Sequence, residues 1–491
     1  MKHLAKKAAA GVLAAALACV SLLGCAAGNQ AQDTFTNPVD HSGQDPYVTY
    51  HEGYYYYAKS VNGSITVART RSLTQLGGAA PVAVWTAPEG ECEYNQEIWA
   101  PELHFIDGRW YIYFAASNGM NATHRMYVLE SDTDDPQGSY TFQGKLADPE
   151  EDVWAIDGTV LQYGGELYCI WSGWEKVLSG FPQNLYIAKM SDPCTLSSGR
   201  VLISQPEYDW EFGGGNGINE GPQVLEHDGQ VYIIYSASGS STDYYCLGQL
   251  SLVGTDPLDP ESWSKKETSV FESANGVYAP GHCSFTVSPD GTENWIVYHT
   301  AKAQFSGWER EVHIQSFTWN ADGSPNFGQP LAEETAIALP SGTQESAREA
   351  VDIILNPDFE GLEGWNVSGN EASSATASDG QTSYLVHNAD SGGYEVQTYQ
   401  TITGIENGAY TLTAWVRSSG GQTRVVMEMG DYDELGSSKA LLIPACQEWT
   451  QIRLTVPVSA GQVTIRFYSK ANAGQWLQVD RVAMECAQNT E

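Results

Sequence analysis

Five segments of this chain repeat one pattern: a strand, a glycine-containing turn, and a second, aromatic-rich strand. They read QDPYVTYHEGYYYYAKS, APELHFIDGRWYIYFAAS, IDGTVLQYGGELYCIWSG, NEGPQVLEHDGQVYIIYSAS and GHCSFTVSPDGTENWIVYHT. Their lead positions are Asp45, Ala100, Asp157, Glu220 and His282, at intervals of 55, 57, 63 and 62 residues. A period of this length, with strands and no helical pattern, predicts an all-β chain folded over residues 35–340 as a five-bladed β-propeller. Radial repetition gathers equivalent positions. If each copy supplies the innermost strand of its blade, the five lead residues meet at one end of a central channel, and three of them are carboxylates.

The polar stretch SGTQESAREA, residues 341–350, reads as a linker. Residues 351–491 form a second unit with clean alternation. In YTLTAWVR, Tyr410, Leu412, Ala414 and Val416 share one face, and Thr411, Thr413, Trp415 and Arg417 the other. In VTIRFYSK, Val463, Ile465 and Phe467 oppose Thr464, Arg466 and Tyr468. This pattern predicts half-buried antiparallel sheets packed as a β-sandwich. Outward Trp415 and Tyr468 are candidate stacking platforms for sugar rings, with a second packing layer as the alternative.

Residues 1–24 read as a leader: Lys2, Lys6 and Lys7 precede an apolar run from Ala8 to Leu23, too short to favour a permanent membrane span. The run ends Leu22-Leu23-Gly24-Cys25, which resembles the bacterial lipobox. That resemblance implies lipidation of Cys25, a tether over residues 25–34, and an exported protein held at the cell surface or outer face of the membrane. Beyond Cys25 seven cysteines remain, with no CxxC spacing. Cys446 and Cys486 are close enough in the chain to be candidates for a pair, and Cys169, inside an apolar strand, reads as a buried thiol. The 60 acidic against 24 basic residues give a formal charge of −36, which excludes nucleic acid and anionic polymers as main partners. A neutral substrate fits better.

Hydrolysis of a glycosidic bond needs two carboxyl groups, one to protonate the leaving oxygen and one across the sugar. When the second activates water, the two stand ~6.5–9.5 Å apart and the anomeric centre inverts. One must be protonated while the other is ionised, and a third carboxylate can hold the acid's pKa up by like-charge repulsion. Asp45, Asp157 and Glu220 supply that inventory.

Through QDPYV, WAPEL, IDGTVL, NEGPQV, PGHCSF and GWEREVHIQSFTWNADGSPNFG, residues 35–340 resemble glycoside hydrolase family 43, a five-bladed family of inverting enzymes. The resemblance implies Asp45 as general base, Glu220 as general acid, and Asp157 as the residue that tunes and orients the acid. It implies Arg310 as a sugar-holding arginine. It also implies His282 at the channel centre, where many members hold a calcium ion through water, although this chain has Cys283 where relatives often carry Asn. Trp99 and Trp174 are candidate walls of the sugar pocket, with packing between blades as the alternative. MYVLESDTDDPQGSYTF, QNLYIAKMSDP, VLISQPEYDWE and YSASGSSTDYYCLGQL resemble the exo-acting α-1,5-L-arabinofuranosidases within the family. That implies release of terminal arabinose from plant cell-wall arabinan or arabinoxylan oligosaccharides, with β-D-xylosides the alternative and no cofactor needed for the chemistry. NPDFEGLEGW and WLQVDRVAM resemble jelly-roll carbohydrate-binding modules, which implies a structural calcium shared by Glu360 and Asp480.

Overall fold

The computed structural model describes residues 34–343, 348–351 and 353–487. The leader and Cys25 lie outside the described residues. Among those described, no helix is long and apolar enough to cross a membrane.

Each of the five repeats opens a blade of antiparallel strands. The inner strands are Tyr47–His51, Gln96–Ile106, Ala155–Tyr163, Asn219–His227 and Tyr278–Val287. They pack side by side in a closed ring around the channel. Chain ends reinforce the closure: Thr34–Phe35 pairs with Ile337–Ala338, and Asp40 bridges to Val312 in the fifth blade.

The aromatic second strands explain how the ring holds together. In RWYIYFAAS, residues 109–117, both faces are apolar. Trp110, Ile112, Phe114 and Ala116 pack with Tyr56, Ile65 and Val67 of the first blade. Tyr111, Tyr113 and Ala115 pack with Val160, Trp171 and Tyr186 of the third. A strand buried on both faces reads as a continuous apolar run rather than an alternation. The same rule gives separate cores between blades three and four, four and five, and five and one. The propeller therefore has five interblade cores arranged radially, and the polar channel is left along the axis.

The second unit is a sandwich of two antiparallel sheets. One sheet runs Ser374–Ser378, Ser383–His387, Leu477–Ala487, Gly408–Ser418, Cys446–Val458. The other runs Asn366–Gly369, Tyr394–Thr403, Gln462–Ala471, Arg424–Gly430, Ser438–Leu442. Alternation places Leu412, Val416, Val463, Ile465 and Phe467 in one shared core, each fully buried. Arg348–Val351 is a strand paired with Leu477–Ala487, so sheet structure begins inside the segment expected to be a linker.

All seven described cysteines are free. Cys446 pairs in register with Ser418 and Cys486 with Tyr410, at opposite ends of one strand. Eight residues of strand separate those positions by about 27 Å, far beyond disulfide reach. Cys169 is buried, as expected.

Candidate active site

Four inner strands break register near their start: between Trp99 and Glu102, Ile156 and Thr159, Glu220 and Gln223, and Gly281 and Ser284. The bulge turns one residue of each strand into the left-handed region. With the first blade, these residues are Asp45 (φ 48°), Ala100 (φ 44°), Asp157 (φ 56°), Gly221 (φ 53°) and His282 (φ 41°). Bulges re-aim side chains at strand ends and recur beside active sites. Holding a residue with a Cβ there costs ~1–2 kcal/mol. The ring thus carries strain at four of its five positions.

This ring corrects one element of the repeat alignment. In the fourth blade Gly221, not Glu220, occupies the left-handed position. Glu220 lies one residue earlier, level with Trp99, Ile156 and Gly281. The carboxylates therefore fall in two layers: Asp45 and Asp157 in the ring, and Glu220 in the layer before it. Gly221 is needed because a Cβ there would lie 3.2 Å from the His282 ring. Its amide donates to Asp157 Oδ2 at 3.0 Å.

Both layers line a cavity of about 350 Å³. Gln44, Trp99, Ile156 and Glu220 come from one layer, Asp45, Asp157 and His282 from the other. Tyr245, Ser240, Trp308 and Arg310 complete it from the neighbouring loops and the fifth blade. A groove of about 690 Å³ shares Gln44, Asp45, Trp99, Trp308 and Arg310 and continues past Lys59, Val61 and Gly77.

The carboxylates sit in different fields. Burial alone would push the Asp45 carboxyl up, but the charges of His282 and Arg310 hold it well below the usual range. His282 Nδ1 and Arg310 Nη1 each stand 3.3 Å from Asp45 Oδ1. His299, pushed down to about 3 by burial, is neutral. Its Nδ1 accepts the Asp45 amide at 3.1 Å, so it orients the backbone and has no proton there to give the carboxylate. Glu220 is pushed up to about 7, chiefly by burial. The Tyr245 hydroxyl donates to Glu220 Oε1 at 2.8 Å and, with Arg310, limits the rise. Asp157 is also raised, by burial and then by the charge of Glu220. The cavity therefore offers an ionised carboxylate facing a carboxylic acid, with a second acid beside it.

Trp99 lines the cavity and stacks on His124 with ring centroids 3.9 Å apart. Trp174 does not line it. It is 6% exposed and stacks on Trp154 at 4.8 Å in the core between blades two and three, so its role is packing. Six residues of the site escaped the sequence reading: Gln44, Ile156, Tyr245, Ser240, Trp308 and His299. Only His299 left a signal. It stands opposite the bulge where the second, third and fourth copies carry Ala115, Ser172 and Ser236. A histidine replacing three small residues marks a position with a task.

His282 turns Nδ1 to Asp45, and among the described residues no trio of carboxylate or imidazole donors converges around it. A calcium at the channel centre would have to draw its oxygen ligands mainly from water. In the sandwich, Asp480 is 1% exposed and raised by burial, with Asp358 adding to the rise. Glu360 and Asp358 are both exposed, and Asp480 is paired with Arg481, whose Nε lies 3.4 Å from its Oδ2.

Trp415 and Tyr468 do not share a face. Trp415 points out from the sheet containing Gly408–Ser418, and Tyr468 from the opposite sheet, on Gln462–Ala471. The Arg481 guanidinium lies 4.4 Å from the Trp415 ring centre. The Tyr468 hydroxyl donates to Glu395 at 2.8 Å.

Residues 35–325 match the family model of glycosyl hydrolases family 43, and residues 351–475 match that of a carbohydrate binding domain. An extracellular exo-alpha-(1->5)-L-arabinofuranosidase of Streptomyces avermitilis is 39% identical over 314 residues, covering 61% of this chain. The match spans 64% of that protein's length, just under two thirds. Alpha-L-arabinofuranosidase 43 of Humicola insolens is 30% identical over 484 residues, 96% of this chain and 94% of that one. The crystal structure of an alpha-L-arabinofuranosidase from Lactobacillus brevis is 39% identical with a TM-score of 0.56, covering 61% of this chain and 98% of that one.

Proposed function

The chain belongs to glycosyl hydrolases family 43, and from that premise we propose that it is an inverting exo-glycosidase releasing terminal α-L-arabinofuranose from arabinan or arabino-oligosaccharides. One observation carries the reading: within a single cavity, Asp45 is held ionised while Glu220 is held up at about 7. That is the division of protonation a single displacement requires.

In this mechanism Asp45 takes a proton from water as the water oxygen bonds to the anomeric carbon. The glycosidic C–O bond breaks on the opposite side, and Glu220 delivers its proton to the departing oxygen. Tyr245 then hydrogen-bonds the Glu220 carboxylate until it is reprotonated. Asp157, fixed by the Gly221 amide and itself kept protonated by burial and by the Glu220 charge, positions the acid without adding a second negative charge beside it. Arg310 anchors Asp45 and reaches back to the Ser240 carbonyl at 2.8 Å. Asp45, Glu220 and water complete the chemistry, and a calcium ion in the channel or the sandwich would serve structure.

A cavity of about 350 Å³ suits a terminal sugar, and the adjoining groove suits the rest of the chain. The named activities of the Streptomyces and Humicola relatives support arabinose as that sugar. The extracellular Streptomyces relative also supports export, and lipidation at Cys25 would anchor the protein outside the membrane. The C-terminal carbohydrate-binding domain would hold the enzyme on polymer.

Digestion of linear arabinan and of xylo-oligosaccharides, followed by product analysis and early proton NMR, tests the reading. Arabinose alone, with inverted anomeric configuration, is expected. Retained configuration, or xylose as the main product, overturns it.

A further inference from the structure

The sandwich does more than hang beside the propeller. A group of ionisable side chains, with Glu311, His313, Tyr432 and Lys439 buried, joins the two directly behind the segments that carry Asp45 and Arg310. The propeller contributes His41, Glu311, His313 and Glu333, and the sandwich contributes Tyr432, Asp433 and Lys439. Resting on the function proposed above, we infer that Lys439 and Tyr432 are positioning residues for the Asp45–Arg310 pair, so that full turnover in the propeller requires the docked sandwich.

The argument begins with strand alternation. Arg310 and Glu311 are neighbours on Arg310–Trp319, so their side chains leave on opposite faces. Arg310 enters the cavity and Glu311 enters the domain junction. Glu311 Oε1 meets His313 Nε2 at 3.1 Å, and Oε2 lies 3.9 Å from His41 Nδ1. Glu333 brings a second carboxyl within 4.8 Å of the Glu311 and His313 donor atoms. Lys439, buried on the sandwich strand Ser438–Leu442, lies in the field of Glu311. Lys439 is 7% exposed. Burial pulls its ammonium down to about 8, while the charge of Glu311 keeps it protonated. On the other side of His41, the Tyr432 hydroxyl is hydrogen-bonded to Nε2.

His41 lies four residues before Asp45, and the intervening chain has little slack. Val39 N donates to the Val312 carbonyl and Val312 N to the Asp40 carbonyl, each at 2.8 Å. Lys59 Nζ ties Asp40 Oδ2 and the Ser42 carbonyl, each at 2.7 Å. Gly43 packs so closely that a Cβ would fall 2.6 Å from Val312 Cγ2 and 2.7 Å from the Tyr57 hydroxyl. A shift at His41 or Glu311 is therefore passed to Asp45 and Arg310, whose 3.3 Å contact sets the base. Docking is broad enough to hold this register: Leu442 N donates to the Glu334 carbonyl at 3.1 Å, Arg424 pairs with Glu334, and Pro457 packs on Gly78.

The test uses the full chain and a nitrophenyl α-L-arabinofuranoside, a substrate too small to involve the sandwich's own sugar contacts. Lys439→Met and Tyr432→Phe should each lower kcat by ~5–50-fold with a smaller change in KM, the signature of a misplaced catalytic group rather than lost binding. The acidic limb of the pH profile should move to higher pH, because a displaced Arg310 no longer holds the Asp45 carboxyl down. Lys439→Arg should restore most of the rate. Thermal unfolding, followed in parallel, separates positioning from loss of fold. A folded Lys439→Met protein with the parent kcat and an unmoved acidic limb overturns the inference. So does a loss of rate that only tracks the unfolded fraction. A parent enzyme inactive on both arabinosides and xylosides would instead overturn the proposed function.

Discussion

The propeller and the sandwich are built from the same kind of strand and use it in opposite ways. In the propeller, second strands are apolar on both faces, so polar groups are forced out of the blades and onto the axis. There the bulges collect Asp45, Asp157 and His282 at one level and Glu220 at the next. In the sandwich, strands are apolar on one face only, so polar and aromatic side chains spread over two outer surfaces. Trp415 and Tyr468 end on opposite sides of it. Ring closure concentrates chemistry, and layering disperses it. Single substitutions should accordingly be severe in the first region and mild in the second.

The sharpest test is Asp45→Asn, which should lower kcat by ~10²–10⁴-fold while binding and fold persist. Near-parent activity in this variant would break the contrast at its root. Glu220→Gln should be nearly as severe on oligosaccharides but mild on nitrophenyl glycosides, whose leaving group needs little protonation. Equal losses on both substrates would remove Glu220 from the acid's role.

The pH profile gives an intermediate effect. Glu220 must carry its proton, so the rate should fall as pH rises past about 7. Asp157 is itself held protonated by burial and by the Glu220 charge, so Asp157→Asn removes no standing negative charge and should lower kcat by misplacing Glu220 while the basic limb moves little. Because burial is the leading cause of the Glu220 shift, the limb should not return to the ordinary carboxylate range. A limb drawn to lower pH would instead make Asp157 an ionised neighbour that holds the Glu220 proton by repulsion. Gly221→Ala tests the ring itself: a forced φ near 53° and contact with His282 should cost ~1–2 kcal/mol, read as a lower Tm.

The smallest effects belong to the sandwich. Trp415→Ala and Tyr468→Ala sit on different surfaces, so only one of them should relieve retardation in arabinan or arabinoxylan affinity gels. Turnover of small substrates should be unchanged in both. Equal relief by the two would mean that both surfaces bind sugar.

Much of this was legible beforehand because it rests on local patterns. The spacing of Asp45, Ala100, Asp157 and His282 was enough to close a five-bladed ring, and the alternation in YTLTAWVR and VTIRFYSK was enough to lay down a sandwich. Period and alternation report which way a side chain points relative to its own strand. They do not report where a bulge falls. Glu220 reads as a lead position by its motif, yet Gly221 stands eight residues before Gly229 as Asp45, Ala100 and Asp157 stand before Gly53, Gly108 and Gly165, and it is Gly221 that the bulge turns into the ring. Nor does alternation say which sheet a strand joins, so Trp415 and Tyr468 looked like one platform, and Cys446 and Cys486 like a pair. Trp174 carried the same composition as a pocket wall and became core because Trp154 from a neighbouring connection covers it. His41 and Lys439 lie almost four hundred residues apart, and only the docking of one domain on the other puts them in each other's field. Sequence fixes contacts along a strand, through backbone geometry that every strand shares. Contacts between strands, blades and domains depend on registers and packing choices that no single segment encodes.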